Sequence, residues 1–223
     1  MQLTKTKKME FTKQDLIDLK HTQILTQNSK MRKTSKENNI RLYNFGITAY
    51  KSHSTGKITC PFADSCISLC YANKGSYIWT NTKKAYEKRY LLSKDPELFK
   101  AKLIEAITRR KATHIRIHDS GDFYNFNYIR SWFEIMDKFP KVKFYAYTKS
   151  KKLFDHLSAK PSNFVLIYSL GSKFDDLVDV NKDRHSKIFY SMDLMHKEGY
   201  IDASSDDLLA INTNNNKIGL LIH

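Results

Sequence analysis

Three cysteines stand within eleven residues, as Cys60-x5-Cys66-x3-Cys70, and they are the only cysteines of the chain. An odd number so tightly clustered is a poor disulfide framework. It is a good ligand set, because one short loop can wrap one metal centre. Three thiolates can hold three irons of a [4Fe-4S] cluster and leave the fourth iron open to a small ligand. Zinc would want a fourth protein ligand to close a tetrahedral site. His53, seven residues before Cys60, is the candidate for that position. The plainer alternative is three buried, inert thiols packing as small hydrophobes.

A ligand loop needs regular elements to hold it. RLYNFGITAY (41–50) has the aromatic and branched composition of a strand, and the loop KSHSTGK joins it to the cysteine segment. From Tyr77 to Arg110 the pattern is helical. Asp95-Pro96-Glu97 divides it into two helices, Asp95 capping the second and Pro96 taking its first position. THIRIHDSGDF (113–123) reads as strand then loop, NYIRSWFEIMDKF (127–139) as a helix stopped by Pro140, and KVKFYAYTKS (141–150) as a strand. KKLFDHLSAK is a short helix stopped by Pro161; NFVLIYSLGS (163–172) and SKIFYSM (186–192) are strands, and LLAIN and IGLLIH are expected to pair as the last two. Such alternation predicts an α/β chain. The reading is one βα domain over 41–223, a partial or complete parallel βα barrel, with an open doubly wound sheet as the alternative. Residues 1–40 read as a polar, basic N-terminal extension. It holds a short helix in FTKQDLIDLK, capped by Thr12, and a mobile loop in TQNSKMRKTSKENN.

In a parallel barrel, chemistry collects where strands end. The unusual polar residues recur there: His118-Asp119-Ser120-Gly121-Asp122 after one strand, Thr148-Lys149-Ser150 after the next, and Ser169 after the third. The cysteine loop follows the first strand, so one face carries them all.

The chain of 223 residues is 41% apolar and carries a net charge of +15. That excess favours a polyanion, nucleic acid above all, and it is uneven. Residues 1–58 hold 12 Lys/Arg against 4 Asp/Glu, whereas residues 171–223 hold 6 against 9. The nucleic-acid contact is therefore expected in the N-terminal half. No apolar run is long enough to span a membrane, and the N-terminus has no apolar signal core, so a cytoplasmic protein is expected. There is no Walker loop, GxSxG, HExxH or GxGxxG, which argues against nucleotide hydrolysis, serine hydrolysis, zincin chemistry and a dinucleotide fold.

A three-cysteine loop after the first strand of a βα barrel resembles the radical-SAM enzymes, although their usual spacing is CxxxCxxC. Tyr71-Ala72 after Cys70 is similar to the CYA of some members. The resemblance implies that Cys60, Cys66 and Cys70 ligate a [4Fe-4S] cluster whose open iron is chelated by S-adenosylmethionine (SAM). Ser120-Gly121-Asp122 resembles the superfamily's GGE motif, which implies that it holds the SAM amino group, with Asp122 in place of the Glu. Ser169 resembles a serine that faces SAM. More specifically, CPFADSC…CYANKGSY, RIHDSGDFY…W and FYAYTKS together resemble the phage gene product eighty-eight family over about residues 40–223. This implies a phage origin, hence a host cytoplasm, and leaves the substrate open.

Strand alternation places His114, Arg116, His118 and Ser120 on one side and Ile115, Ile117 and Asp119 on the other. With the isoleucines against outer helices, Arg116 and His118 line the interior. Arg116 would pair with the SAM carboxylate or a substrate phosphate, and His118 would give or accept a proton. A buried polar network stiffening the barrel is the bland alternative. Two functions compete. One is an enzyme, fed by an electron donor, that cleaves SAM and starts radical chemistry on a substrate such as a nucleic acid or nucleotide. The other is a non-catalytic nucleic-acid-binding protein stabilised by zinc or an iron–sulfur cluster. In KGSYIWTNTKKAYEKRY, Tyr86 and Tyr90 read as packing, while Tyr77 and Trp79 stay open to base stacking.

Overall fold

The computed structural model describes residues 22–222. The helix expected in FTKQDLIDLK, with its Thr12 cap, lies outside the described residues. Among the described residues seven strands make one sheet: β1 (Leu42–Phe45), β2 (His114–Ile117), β3 (Lys143–Thr148), β4 (Phe164–Ser169), β5 (His185–Phe189), β6 (Ile201–Asp202) and β7 (Lys217–Leu221). The α-helices are α1 (Ser29–Glu37), α2 (Cys66–Leu69), α3 (Thr80–Leu92), α4 (Pro96–Arg110), α5 (Phe126–Lys138), α6 (Lys151–Phe154), α7 (Met192–Lys197) and α8 (Asp207–Asn212). Their order is β1-β2-β3-β4-β5-β7-β6, and every neighbouring pair is parallel. The expected α/β class and parallel sheet are present. Among the described residues the ladder starts at β1 and ends at β6, with no pairing between those two.

The two faces of the sheet bury different things. One row, Phe45, Ile115, Ile117, Phe144, Ala146, Phe164 and Leu166, lies in the main core. There it meets residues of α4 (Pro96–Arg110), which follows α3 (Thr80–Leu92), and of α5 (Phe126–Lys138). Ile115 and Ile117 thus pack toward helices, as alternation requires. The opposite row puts Leu42, Tyr145, Ile167 and Ile218 in a second cluster. This one is closed by Met31 of α1 (Ser29–Glu37) and Leu208 and Ile211 of α8 (Asp207–Asn212).

Local chemistry explains the boundaries. Asp95 Oδ1 accepts from Leu98 N at 3.1 Å with Pro96 at the first helical position, so α4 begins where the dipeptide says it should. Asn125 caps α5 in the same way through Tyr128 N at 2.9 Å.

Three expectations are corrected. TQNSKMRKTSKENN holds α1, because the Asn28 side chain accepts from Met31 N at 2.8 Å and Met31 is buried. Ile24 and Leu25 join the main core, so the packed domain starts before residue 41. LLAIN forms α8 and not a strand: Asp206 caps it, and a short apolar run has no periodicity to separate the two choices. IGLLIH alone supplies the strand β7, paired with β5. No helix among the described residues is long and apolar enough to cross a membrane.

Candidate functional site

The loop before the cysteines is organised around a buried carboxylate. Glu87 of α3 accepts from the hydroxyls of Thr48 (2.7 Å), Ser52 (2.5 Å) and Ser54 (2.6 Å) and from His53 N (3.0 Å). Burial pushes its carboxyl up, yet those hydrogen bonds prevail and hold it below the usual range. Beyond this knot, Thr59 Oγ1 donates to Thr48 O at 2.6 Å, and Tyr50 N points at Cys60 Sγ at 3.2 Å. The first thiol is therefore delivered by a loop that is tied to a helix.

Cys60, Cys66 and Cys70 line one cavity of about 190 Å³ together with Arg116, His118, Ser120, Gly121, Asp122, Thr148, Lys149 and Ser169. Burial, with the Asp122 charge adding to it, pushes the Cys60 thiol up to about 12. Burial also raises Cys66, against the pull of Lys149. Among the described residues, no three His, Cys, Asp or Glu side chains are grouped closely enough to hold a metal ion. His53 lines a neighbouring cleft, with Tyr77, Lys83 and Tyr86, instead of this cavity.

The strand-end residues take distinct places. Gly121 has φ +79°, and a Cβ there would come within 2.3 Å of Ile47 Cγ1, so only glycine fits while the backbone lines the cavity. Ile47 N donates to Ser120 O at 2.9 Å, binding the turn to the end of the first strand segment. Asp122 is buried and accepts from Phe123 N (2.7 Å), Thr148 Oγ1 (2.5 Å) and Lys149 N (2.8 Å). Burial raises its carboxyl despite those bonds. It pins the end of β2 to the end of β3. Ser169 Oγ accepts from Lys149 Nζ at 2.7 Å.

Arg116 lies on the side that alternation assigns it. Its Nη1 donates to Asp207 Oδ2 at 3.0 Å, and its guanidinium sits 5.2 Å from the Tyr147 ring centroid. Lys30 Nζ and Tyr145 OH also donate to Asp207, at 2.6 and 2.8 Å. One acid thus answers two cations, and among the described residues Arg116 Nε is buried without a partner.

His118 does not follow the alternation. Its φ of +66° ends the strand pattern and turns the ring into the helix-side core, 4.6 Å from the Phe123 centroid, with Nε2 bonded to Tyr128 OH at 2.9 Å. Burial drops its pKa to about 3, so the ring is neutral. His118 thus still lines the cavity, but its ring packs against Phe123 and Tyr128 on the helix side and not along the row that alternation assigns it.

Two side chains carry no local signal in the sequence: Glu87 stands on an expected helix and Asp207 beside an apolar run that reads as a strand, and their partners lie tens of residues away. Lys149 and Asp119 stand among the strand-end polar residues, but their partners are not legible there. Asp119, which alternation places with the isoleucines, lines the cavity, and its Oδ2 accepts from the Tyr77 and Tyr86 hydroxyls at 3.0 and 2.6 Å.

Residues 22–223 match the family model of Gene product 88. The Gene 88 protein of Mycobacterium phage L5 is 27% identical over 144 residues, covering 59% of this chain and 60% of the relative. That of Mycobacterium phage D29 is 28% identical over 123 residues, covering 50% and 51%. The chain therefore spans between half and three fifths of the length of these relatives. No solved structure matches.

Proposed function

The chain belongs to the gene product 88 family, and from that premise we propose that it is a radical-SAM-like enzyme on a partial βα barrel, with Cys60, Cys66 and Cys70 holding a [4Fe-4S] cluster. One observation carries the reading: the three thiols line the same cavity as the ends of β2, β3 and β4. The donor set fits this group. Three thiols around an open space suit a centre that keeps one position for a small ligand, and the histidine that would complete a zinc site lines another cleft. Among the described residues the three thiols are not grouped closely enough to hold a metal ion, so holding the cluster requires them to come closer together.

When bound, the cluster and SAM supply one-electron cleavage chemistry. The chain supplies position. Ser120-Gly121-Asp122 presents bare backbone to the SAM amino group, and Asp122 keeps that turn fixed to β3. Lys149 anchors Ser169 at the SAM-facing wall. Arg116, which lines the cavity, supplies a cation for a carboxylate or phosphate. His118 stays a neutral packing group, so no proton step is assigned to it.

Replacing each cysteine singly by serine, in protein purified without oxygen, tests the assignment. Iron and acid-labile sulfide should fall in all three variants. Full iron retention in any one of them contradicts it.

A further inference from the structure

We propose that the segment from Tyr71 to Lys84, with the loop facing it, is a docking surface for single-stranded nucleic acid, which it leads to the thiol-lined cavity. Leading substrate to the cavity rests on the function proposed above; binding at the surface does not.

The first observation is a cluster of exposed apolar side chains. Tyr71, Ile78 and Trp79 are 52%, 50% and 66% exposed within nine residues of chain. The second is charge. Residues 38–86 contain six Lys/Arg against a single acid, Asp64. Lys74 is exposed, and Lys83 lines the cleft beside Ile78, Tyr77 and His53. Aromatic faces set among lysines, with the nearby acids Glu87 and Asp119 buried and occupied by hydroxyl donors, suit a strand whose bases are free to stack. A duplex hides its base faces and gains nothing from Trp79.

The third observation is continuity. Exposed Tyr71 meets Tyr77 edge-on at 5.5 Å, and Tyr77 meets Tyr86 at 5.6 Å. Tyr71 also lines the cavity that holds the cysteines, and the outer cleft shares Ala49, Ala72 and Ser120 with it. A base stacked on the rim is therefore next to the cavity mouth.

The two tryptophans make the test direct, because Trp132 is 0% exposed and Trp79 is not. The intact protein is titrated with oligothymidylate while its fluorescence is read. Saturable quenching that weakens as salt rises is expected. A labelled oligothymidylate should bind Trp79→Ala about 5- to 150-fold weaker, since one stacked base is worth roughly 1–3 kcal/mol. Lys83→Ala should reduce the salt slope by about one. No saturable quenching at low salt, equal affinity for duplex, or an unchanged Trp79→Ala would each overturn the proposal. Iron is measured on the same preparations: normal iron without binding sinks this surface alone, and binding by protein that takes up no iron sinks its role as an entrance.

Discussion

Arg116 Nη1 stands 3.0 Å from Asp207 Oδ2, joining β2 to the first turn of α8 across 91 residues of chain. Lys30 of α1 reaches the same carboxylate at 2.6 Å, so three distant segments meet on one acid. Asp207→Asn leaves two cations without their counter-charge at a site where the acid's side chain is only 5% exposed. We expect a loss of about 3 kcal/mol or more, seen as a fall of roughly 6–12 °C in Tm for a chain of this size.

The same acid sets a pH dependence. Burial works to raise its carboxyl, but Arg116 and Lys30 hold it at about 2, below the ordinary 3.8. A depressed carboxylate stabilises the fold above its unfolded pKa and stops doing so as pH falls through the folded one. Stability from this group, roughly 2 kcal/mol, should vanish between about pH 4 and pH 2. Denaturant titrations across that window should show a smaller pH slope in Asp207→Asn than in the unaltered chain.

Gly121→Ala should cost about 1–3 kcal/mol, combining a left-handed backbone with a clash on Ile47. Gly75 offers the control. It also has positive φ, but nothing lies within 4 Å of a Cβ there, so its alanine variant should lose less. Chemical denaturation of the two variants side by side decides the point.

Glu87→Ala frees three hydroxyls and the His53 amide, all tied to one carboxylate. The loop that carries Cys60 should loosen. Alkylation of Cys60 in the metal-free protein should quicken several-fold, with Cys66 changed less. Equal protection of Cys60 in the variant would mean that Glu87 does not hold the loop.

What could be read from the sequence is what neighbouring residues decide together. Asp95 and Pro96 set a helix start by local bonds, Ile115 and Ile117 declare their face by alternation, and the strand-end positions of the cysteine loop and the Ser-Gly-Asp turn follow from the order of the elements. What escaped depends on distant partners or on one backbone torsion. His118 left the alternating pattern because its φ is positive, which no neighbour demands. Asp207 mattered through Arg116 and Lys30, and α8 was mistaken for a strand because its apolar run is short. The Asp122 carboxylate was read as a ligand-holding group, yet its hydrogen bonds to Thr148 and Lys149 give it a structural duty too. Asp122→Ala should consequently lower stability by about 1–3 kcal/mol, because it strands a buried hydroxyl and amide. A loss of activity in that variant then needs a melting curve beside it.

The most direct test of the central claim is anaerobic purification with iron and sulfide analysis, followed by EPR of the reduced protein with and without SAM. The account expects roughly four irons per chain and a signal that changes when SAM is added. Stoichiometric zinc without iron would contradict it.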